Sequence, residues 1–242
     1  MIKIYARALR TFTANFLLFF GLSVIMALLS QVLDSSSTNG ASLFVYAFVA
    51  LSCHRLLLTG ERASEADLFS RRKDGPLAGR QWPFMWRLGM FWLVTACFWG
   101  LFLYLIVGLL PETDKTSVTG AAILALVPAA LVFYVLAALF GTVLPAAASE
   151  SDLSLATAFQ RGRVSFWVTI WRLLTGNGLF SIVSLVALLS LANIEIANTG
   201  PAMDIAVGVL GELFGMFMIM LTAAALCMAY ETKAPVAETT EA

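Results

Sequence analysis

The sequence predicts an all-α protein, a polytopic membrane helix bundle of about six transmembrane helices built from repeated helical hairpins. Three observations carry this prediction: the composition, six long apolar stretches, and the sorting of basic residues into alternate connections. Of 242 residues, 60% are hydrophobic and only 12% are charged, and the mean hydropathy is +0.87. Soluble domains carry about 45–50% apolar and about 25% charged residues, so half the usual charge cannot cover a water-facing surface. Lys+Arg and Asp+Glu number 15 each. With that balance and no long basic run, a nucleic-acid partner is not expected.

A spanning helix needs about 20 mostly apolar residues. The first qualifying stretch is Phe12–Leu33. It follows Lys3, Arg7 and Arg10 but is longer than the core of a cleaved signal peptide, so a retained helix is expected. The second, Ala41–Leu58, ends with His54 and Arg55 near its close. The third, Phe84–Leu110, is the most aromatic, and the fourth, Gly120–Ala147, contains Pro128 and Pro145. Proline in a membrane helix kinks it more often than it ends it, because neighbours satisfy the freed carbonyl. The fifth lies within Phe166–Ala192 and is interrupted by Arg172 and by Gly176-Asn177-Gly178. The sixth, Ile205–Tyr230, encloses Glu212.

The connections alternate in charge. Asp34–Gly40, Pro111–Thr119 and Asn193–Asp204 hold one basic residue, Lys115, beside five acids. All other basic residues fall in the N-terminal segment, in Thr59–Pro83, in Ser149–Ser165, at the adjoining helix ends or in the C-terminal tail. The positive-inside rule then places both termini in the cytoplasm, with the chain in the plasma membrane. Residues 1–231 form one six-helix transmembrane domain, and residues 232–242 a polar cytoplasmic tail.

Self-similarity is the most specific signal. Glu65-Ala66-Asp67-Leu68, Trp82, Trp86, Arg87 and Leu88 recur as Glu150-Ser151-Asp152-Leu153, Trp167, Trp171, Arg172 and Leu173, all 85 residues on and without a gap. A weaker first copy matches Arg10, Thr13 and Asn15 to Arg172, Thr175 and Asn177. Three hairpins in the same orientation are the simplest organisation. The two tryptophans of each lead-in segment share a helical face, suit the headgroup level, and are followed by an arginine able to snorkel to phosphate. Trp82, Trp86, Arg87, Trp167, Trp171 and Arg172 are therefore candidate interface anchors, with a headgroup- or partner-docking surface as the functional alternative. Upstream, Leu155, Phe159 and Phe166 with Arg161 and Arg163 predict a helix lying partly in the interface.

Residues 155–161 (LATAFQR) and 171–177 (WRLLTGN), leading into a membrane helix, resemble a signature of bacterial six-helix membrane proteins. That superfamily includes the membrane domain fused to some glycerophosphoryl diester phosphodiesterases. The resemblance implies a helical bacterial inner-membrane protein. It implies no phosphodiesterase activity, because the catalytic domain has no counterpart in this sequence.

Motifs for chemistry are sparse. The one histidine, His54, reads as an interfacial polar pair with Arg55, since a metal site needs several convergent ligands. Cys53, Cys97 and Cys227 have no metal-site spacing and read as buried apolar side chains. Gly176-Asn177-Gly178 lacks the residues of a phosphate loop and reads as a weak point in the fifth helix. Gly208, Gly211 and Gly215 suit close helix approach. No metal or cofactor is expected, and no catalytic set is present. Glu212 is the odd residue, about 12 Å inside the helix counted from Asp204. An acid at that depth is a functional candidate, expected to meet hydroxyls or carbonyls of neighbouring helices. The sequence thus favours a non-enzymatic protein that binds lipids or other integral membrane proteins in assembly, insertion or envelope maintenance. A small transporter or channel coupled through Glu212 is the alternative.

Overall fold

The computed structural model describes residues 2–32, 35–59, 81–109, 115–149, 154–195 and 201–232, all of them helical or in short turns. The helices are α1 (Ile2–Ala14), α2 (Phe16–Val32), α3 (Ser35–Thr59), α4 (Gln81–Gly108), α5 (Lys115–Phe140), α6 (Val143–Ala148), α7 (Leu155–Leu173), α8 (Leu179–Glu195) and α9 (Pro201–Glu231). A π-helical turn, Leu174–Gly178, joins α7 to α8. Four helical segments are long and apolar enough to cross a membrane: Trp82–Gly108, Gly120–Phe140, Leu155–Leu191 and Met203–Glu231. The α1–α2 pair, bent by 77°, makes a fifth if taken as one span, and α3 contributes a shorter apolar helix, Ser42–Leu58. The first half of the repeat (Glu65–Leu68), its counterpart Glu150–Leu153, most of the first long basic connection, Lys115's side chain and the tail from Lys233 lie outside the described residues.

The first apolar stretch begins later than the sequence predicts. Phe12 belongs to α1, and the chain turns at Asn15 before α2. Asn15 builds the turn itself. Its side-chain amide donates to the Thr11 carbonyl (2.9 Å), while its own carbonyl accepts from the backbone of Leu18 (3.1 Å) and Phe19 (3.3 Å). α1 is amphipathic, burying Ile4, Ala8 and Phe12 one turn apart, with Phe12 stacked on Phe19 at 4.6 Å.

The fourth stretch is likewise divided. Pro128 is carried within α5, but the helix ends at Phe140 and restarts as the fully buried α6. Gly141 makes that turn, because a Cβ there would meet the Ala137 carbonyl and lie 2.7 Å from the Leu226 side chain. The segment before the fifth stretch is no separate surface helix. α7 runs on through the π turn into α8, and Leu155–Leu191 counts as one span. Its early half is held in the bundle by Gly162 against the Leu139 and Ala138 carbonyls, and by Phe159 stacked on Phe140 at 5.4 Å.

α9 is the spine, touching α1, α2, α3, α6, α7, the π turn and α8. Its partners give the helix directions. Along α3, Tyr46 meets Glu212 and the His54 carbonyl meets the Cys227 thiol, so α3 and α9 run parallel. Ser23 meets Met216 and Ala27 meets Gly208, so α2 runs antiparallel to α9. Asn177 meets Thr222 and Ser181 meets Met218, so α8 does too. α4 packs most closely on α5, whereas α2 and α3 touch each other little and meet chiefly through α9. The bundle's outer surface is aliphatic and aromatic, with Leu17, Leu109, Tyr104 and Ile123 among its exposed side chains.

One end of the bundle gathers chain segments far apart in sequence. Arg7 donates to both Glu231 carboxylate oxygens, at 2.7 and 2.5 Å, and to the Leu57 carbonyl at 2.8 Å. Its hydrogen bonds to Glu231 hold the guanidinium above its ordinary pKa, against the opposing effect of burial. Ser149 meets the Tyr230 hydroxyl at 3.2 Å, and Arg161 lies over the Tyr230 ring at 5.1 Å. The N-terminal helix and the end of α9 therefore share one end of the bundle.

Candidate functional site

Inside that frame lies a cavity of about 320 Å³ bounded by α3, α4, α5, α6, the π turn, α8 and α9. Small-molecule sites span about 300–1,000 Å³, which puts this one at the small end. Most of the wall is apolar, including Phe91, Trp92, Phe133, Leu144 and Ile219. Two of the aromatics that mark the third stretch are thus cavity wall, while Phe98 and Tyr104 face outward.

Three helices bring polar groups to the cavity. On α3, Tyr46, Ala50 and His54 lie four residues apart and so share one face. On the π turn and α8, Asn177 and Ser181 do the same, and α9 adds Thr222. The Asn177 amide donates to Thr222 Oγ1 (2.5 Å), whose hydroxyl donates to the Met218 carbonyl (3.0 Å). The Ser181 hydroxyl lies 2.7 Å from the Asn177 carbonyl, 2.9 Å from Asn177 Oδ1 and 2.9 Å from the Met218 sulfur.

Gly176-Asn177-Gly178 is therefore a built feature rather than a weak point. A π turn changes the helical phase, and such turns concentrate at functional sites. The Tyr5 hydroxyl of α1 reaches two of its carbonyls, Thr175 at 2.8 Å and Gly176 at 2.9 Å. A Cβ at 176 would crowd the Ile4 side chain at 3.2 Å, whereas one at 178 would make only ordinary contact with the Tyr134 hydroxyl at 3.5 Å.

Glu212 is half-buried on α9, and its Oε2 accepts a hydrogen bond from the Tyr46 hydroxyl at 2.8 Å. Among the described residues no basic side chain pairs with it; the ion pair of the bundle joins Arg7 to Glu231. Tyr46 links the carboxylate to the cavity, which Glu212 itself does not line. Of the three glycines of α9, Gly208 makes a close approach, to Ala27 at 3.4 Å, and Gly211 makes ordinary contact with Leu188 at 3.9 Å. Gly215 differs from the expectation of helix approach. Nothing stands within 4 Å of a Cβ there, because it opens onto the cavity.

His54 and Arg55 are both buried rather than an exposed interfacial pair. The His54 ring packs edge-on against Phe84, with centroids 5.4 Å apart, and its Nδ1 lies 2.8 Å from the Ala50 carbonyl. Cys53 and Cys227 are buried as expected of apolar side chains, but Cys97 is on the outer face of α4. Among the described residues, no three His, Cys, Asp or Glu side chains converge as metal ligands.

The tryptophan–arginine segments sit apart from the cavity, Trp82, Trp86 and Arg87 in the first two turns of α4 and Trp167, Trp171 and Arg172 in the last two turns of α7, ahead of the π turn. Trp82 and Trp86 are 73% and 64% exposed, and Trp167 and Trp171 are 78% and 65% exposed. Between them, Phe84 and Leu88 are buried in one copy, and Thr169 and Leu173 in the other. The burial phase is thus the same at the 85-residue offset. Arg87 Nη1 donates to the Pro83 carbonyl at 3.0 Å, one turn back. The suggested first copy does not share this phase. Its matching offset would put Arg7 and Thr11 at the buried positions, whereas α1 buries Ile4, Ala8 and Phe12.

Tyr46, Ser181 and Thr222 are the site residues that sequence reasoning misses. The available signal was the four- and eight-residue spacing of polar groups within apolar stretches, which is visible only once the helices that share the cavity are known. No protein-family model, no curated protein and no solved structure matches the chain, so its function is argued from this geometry.

Proposed function

We propose that this chain is a non-enzymatic, six-span protein of the bacterial inner membrane that binds membrane lipids at its cytoplasmic face, with other integral membrane proteins as further partners. The observation that carries the reading is the matched pair of lead-in segments. Each presents two exposed tryptophans on one face, an arginine beside them, and the same buried positions between. Aromatic rings and snorkelling arginines are the side chains suited to headgroup depth. Two such platforms, on two helices, would suit a protein of assembly, insertion or envelope maintenance. The six-span count adds α2 and α3 to the four long helices, and it is supported by the alternating directions of α2, α3, α8 and α9. The shared end of α1 and α9, together with the sorted basic residues, supports cytoplasmic termini. The repeat of hairpins is supported for its second and third copies by their common burial phase.

The test is depth-resolved. With Trp92 and Trp99 replaced by phenylalanine, the chain is reconstituted in bilayers whose lipids carry bromine near the headgroup or near the chain end. Trp82 and Trp86 on one side, and Trp167 and Trp171 on the other, should be quenched chiefly by the headgroup-proximal bromine and to matched extent. Arg87→Leu and Arg172→Leu should each lower the anionic phospholipid retained in native mass spectrometry more than Arg→Lys does. Two pairs at clearly different depths would refute the reading.

The transporter alternative has one specific observation in its favour, the Tyr46 hydroxyl that ties Glu212 to the cavity. Glu212→Gln separates the two readings. It keeps the hydrogen-bonding shape and removes the titratable proton, so it abolishes coupled transport but leaves lipid binding unchanged.

A further inference from the structure

We infer that the central cavity is a binding site for a small, uncharged apolar molecule carrying a hydroxyl group, an alcohol or a phenol, whose proton is received by His54 Nε2. The inference concerns the cavity alone and holds whether or not the tryptophan segments bind lipid.

His54 is 2% exposed and lines the cavity. Its Nδ1 stands 2.8 Å from the Ala50 carbonyl, which can only accept, so Nδ1 carries the proton. The neutral ring then presents Nε2 as an acceptor, and no group of the described residues reaches that atom. A buried acceptor without a donor costs about 1–3 kcal/mol, so a donor in the cavity is favoured. Thr169 and Ser184 also have buried hydroxyls without a partner. A helical hydroxyl can rotate to the carbonyl four residues back, whereas the imidazole has no such freedom, and neither residue lines the cavity.

The other polar groups point to the same class of guest. Tyr46 gives its proton to Glu212, Thr222 gives its proton to the Met218 carbonyl, and Ser181 has its hydroxyl among acceptors of the wall. What these hydroxyls leave toward the cavity is lone pairs. A guest that donates is therefore matched by these hydroxyls. No charged residue lines the cavity, and an ion would be stripped of water there at high cost. The remaining wall is aromatic and aliphatic, which suits an apolar body.

The chain contains a single histidine, so selectively ¹⁵N-histidine-labelled protein in nanodiscs gives one imidazole spectrum. The probe is 1-naphthol, and 1-methoxynaphthalene, with the same body and no donor, is the control. Naphthol should shift the Nε2 resonance saturably while Nδ1 keeps its proton, and the ether should not. Gly215→Leu places a side chain where an added Cβ meets nothing within 4 Å, so it fills the cavity without a backbone clash. Its spectrum should keep the Nδ1-protonated ring, while naphthol affinity falls by about tenfold or more, as expected when methylene groups compete for a pocket. The naphthol–ether comparison needs no variant and stands even if Gly215→Leu does not fold. Absence of a saturable shift up to the solubility of naphthol would overturn the inference and leave water as the partner of Nε2. Equal shifts from naphthol and the ether would overturn the acceptor role. An undiminished shift in folded Gly215→Leu would overturn the cavity as the place of binding.

Discussion

Gly162→Ala separates close backbone approach from simple helix preference, because the two predict opposite signs. Alanine in a helix interior is favoured over glycine by about 0.5–1 kcal/mol. At Gly162, however, the new methyl would stand 2.6 Å from the Ala138 carbonyl oxygen and fall directly onto that of Leu139. An ordinary carbon–oxygen contact is about 3.3–3.6 Å, so the early part of α7 and the end of α5 must part by more than about 1 Å to clear the Leu139 carbonyl. Both obstructing atoms are backbone, and no side-chain rotation relieves them. Overpacking of this kind costs about 1–3 kcal/mol, so it outweighs the helix gain and leaves a net loss of about 1–2 kcal/mol. At about 2–4 °C per kcal/mol for a chain near this size, melting should fall by about 2–8 °C. Gly100→Ala is the control, since nothing lies within 4 Å of its added Cβ. It should be neutral or slightly stabilising. The assay uses a thiol-reactive fluorogenic maleimide in a Cys97→Ala background, because Cys97 is exposed while Cys53 and Cys227 are buried and react only on unfolding. If Gly162→Ala melts no lower than Gly100→Ala, the contact between α7 and α5 is not the one described.

Asn177→Leu removes the amide that ties the π turn to Thr222 on α9, and interhelical hydrogen bonds in membranes contribute about 0.6–1.7 kcal/mol. The same melting assay should show a loss in that range, and an unchanged melting point would mean that the π turn holds without it. For topology, single cysteines at Ser36, Thr116 and Asn198 in a cysteine-free chain should react with an impermeant thiol reagent from outside. Those at Ser70 and Ser154 should react only after permeabilisation, and reversal of either group would sink the six-span reading.

The membrane-helix class was legible because burial in lipid writes itself into composition, and four of the six apolar stretches return as helices that can cross a membrane. What the sequence hides is where a helix stops within an apolar run. Asn15 and Gly141 both break apolar stretches that hydropathy treats as continuous, since hydropathy measures transfer to lipid and not backbone geometry. Pro128 sits within α5, as the reading of a proline carried inside a membrane helix expects. Glu212 was legible as a cost that needs a partner, but Tyr46 was not, because a tyrosine in a span is as easily an interface residue. His54 was misplaced for a related reason. Its nearness to Arg55 and to the end of an apolar stretch signals an interface, while only the turn of α3 toward α9 buries it.

The π turn explains why the polar groups meet where they do. A regular helix uses its carbonyls on its own amides, whereas a π turn frees some of them and must find donors elsewhere. Here the donor is the Tyr5 hydroxyl, brought from α1 to the Thr175 and Gly176 carbonyls. On the inner side, the same turn carries Asn177 to Thr222 and to the cavity. One five-residue element is thus held on one side by α1 and on the other by α9. The bend at Asn15 serves this arrangement, since a straight α1–α2 helix could not lay Tyr5 against the π turn and also run antiparallel along α9. The departures from regular helix are therefore coupled. The hinge sets the position of α1, α1 completes the hydrogen bonding of the π turn, and the π turn brings Asn177 to the cavity that His54 also lines.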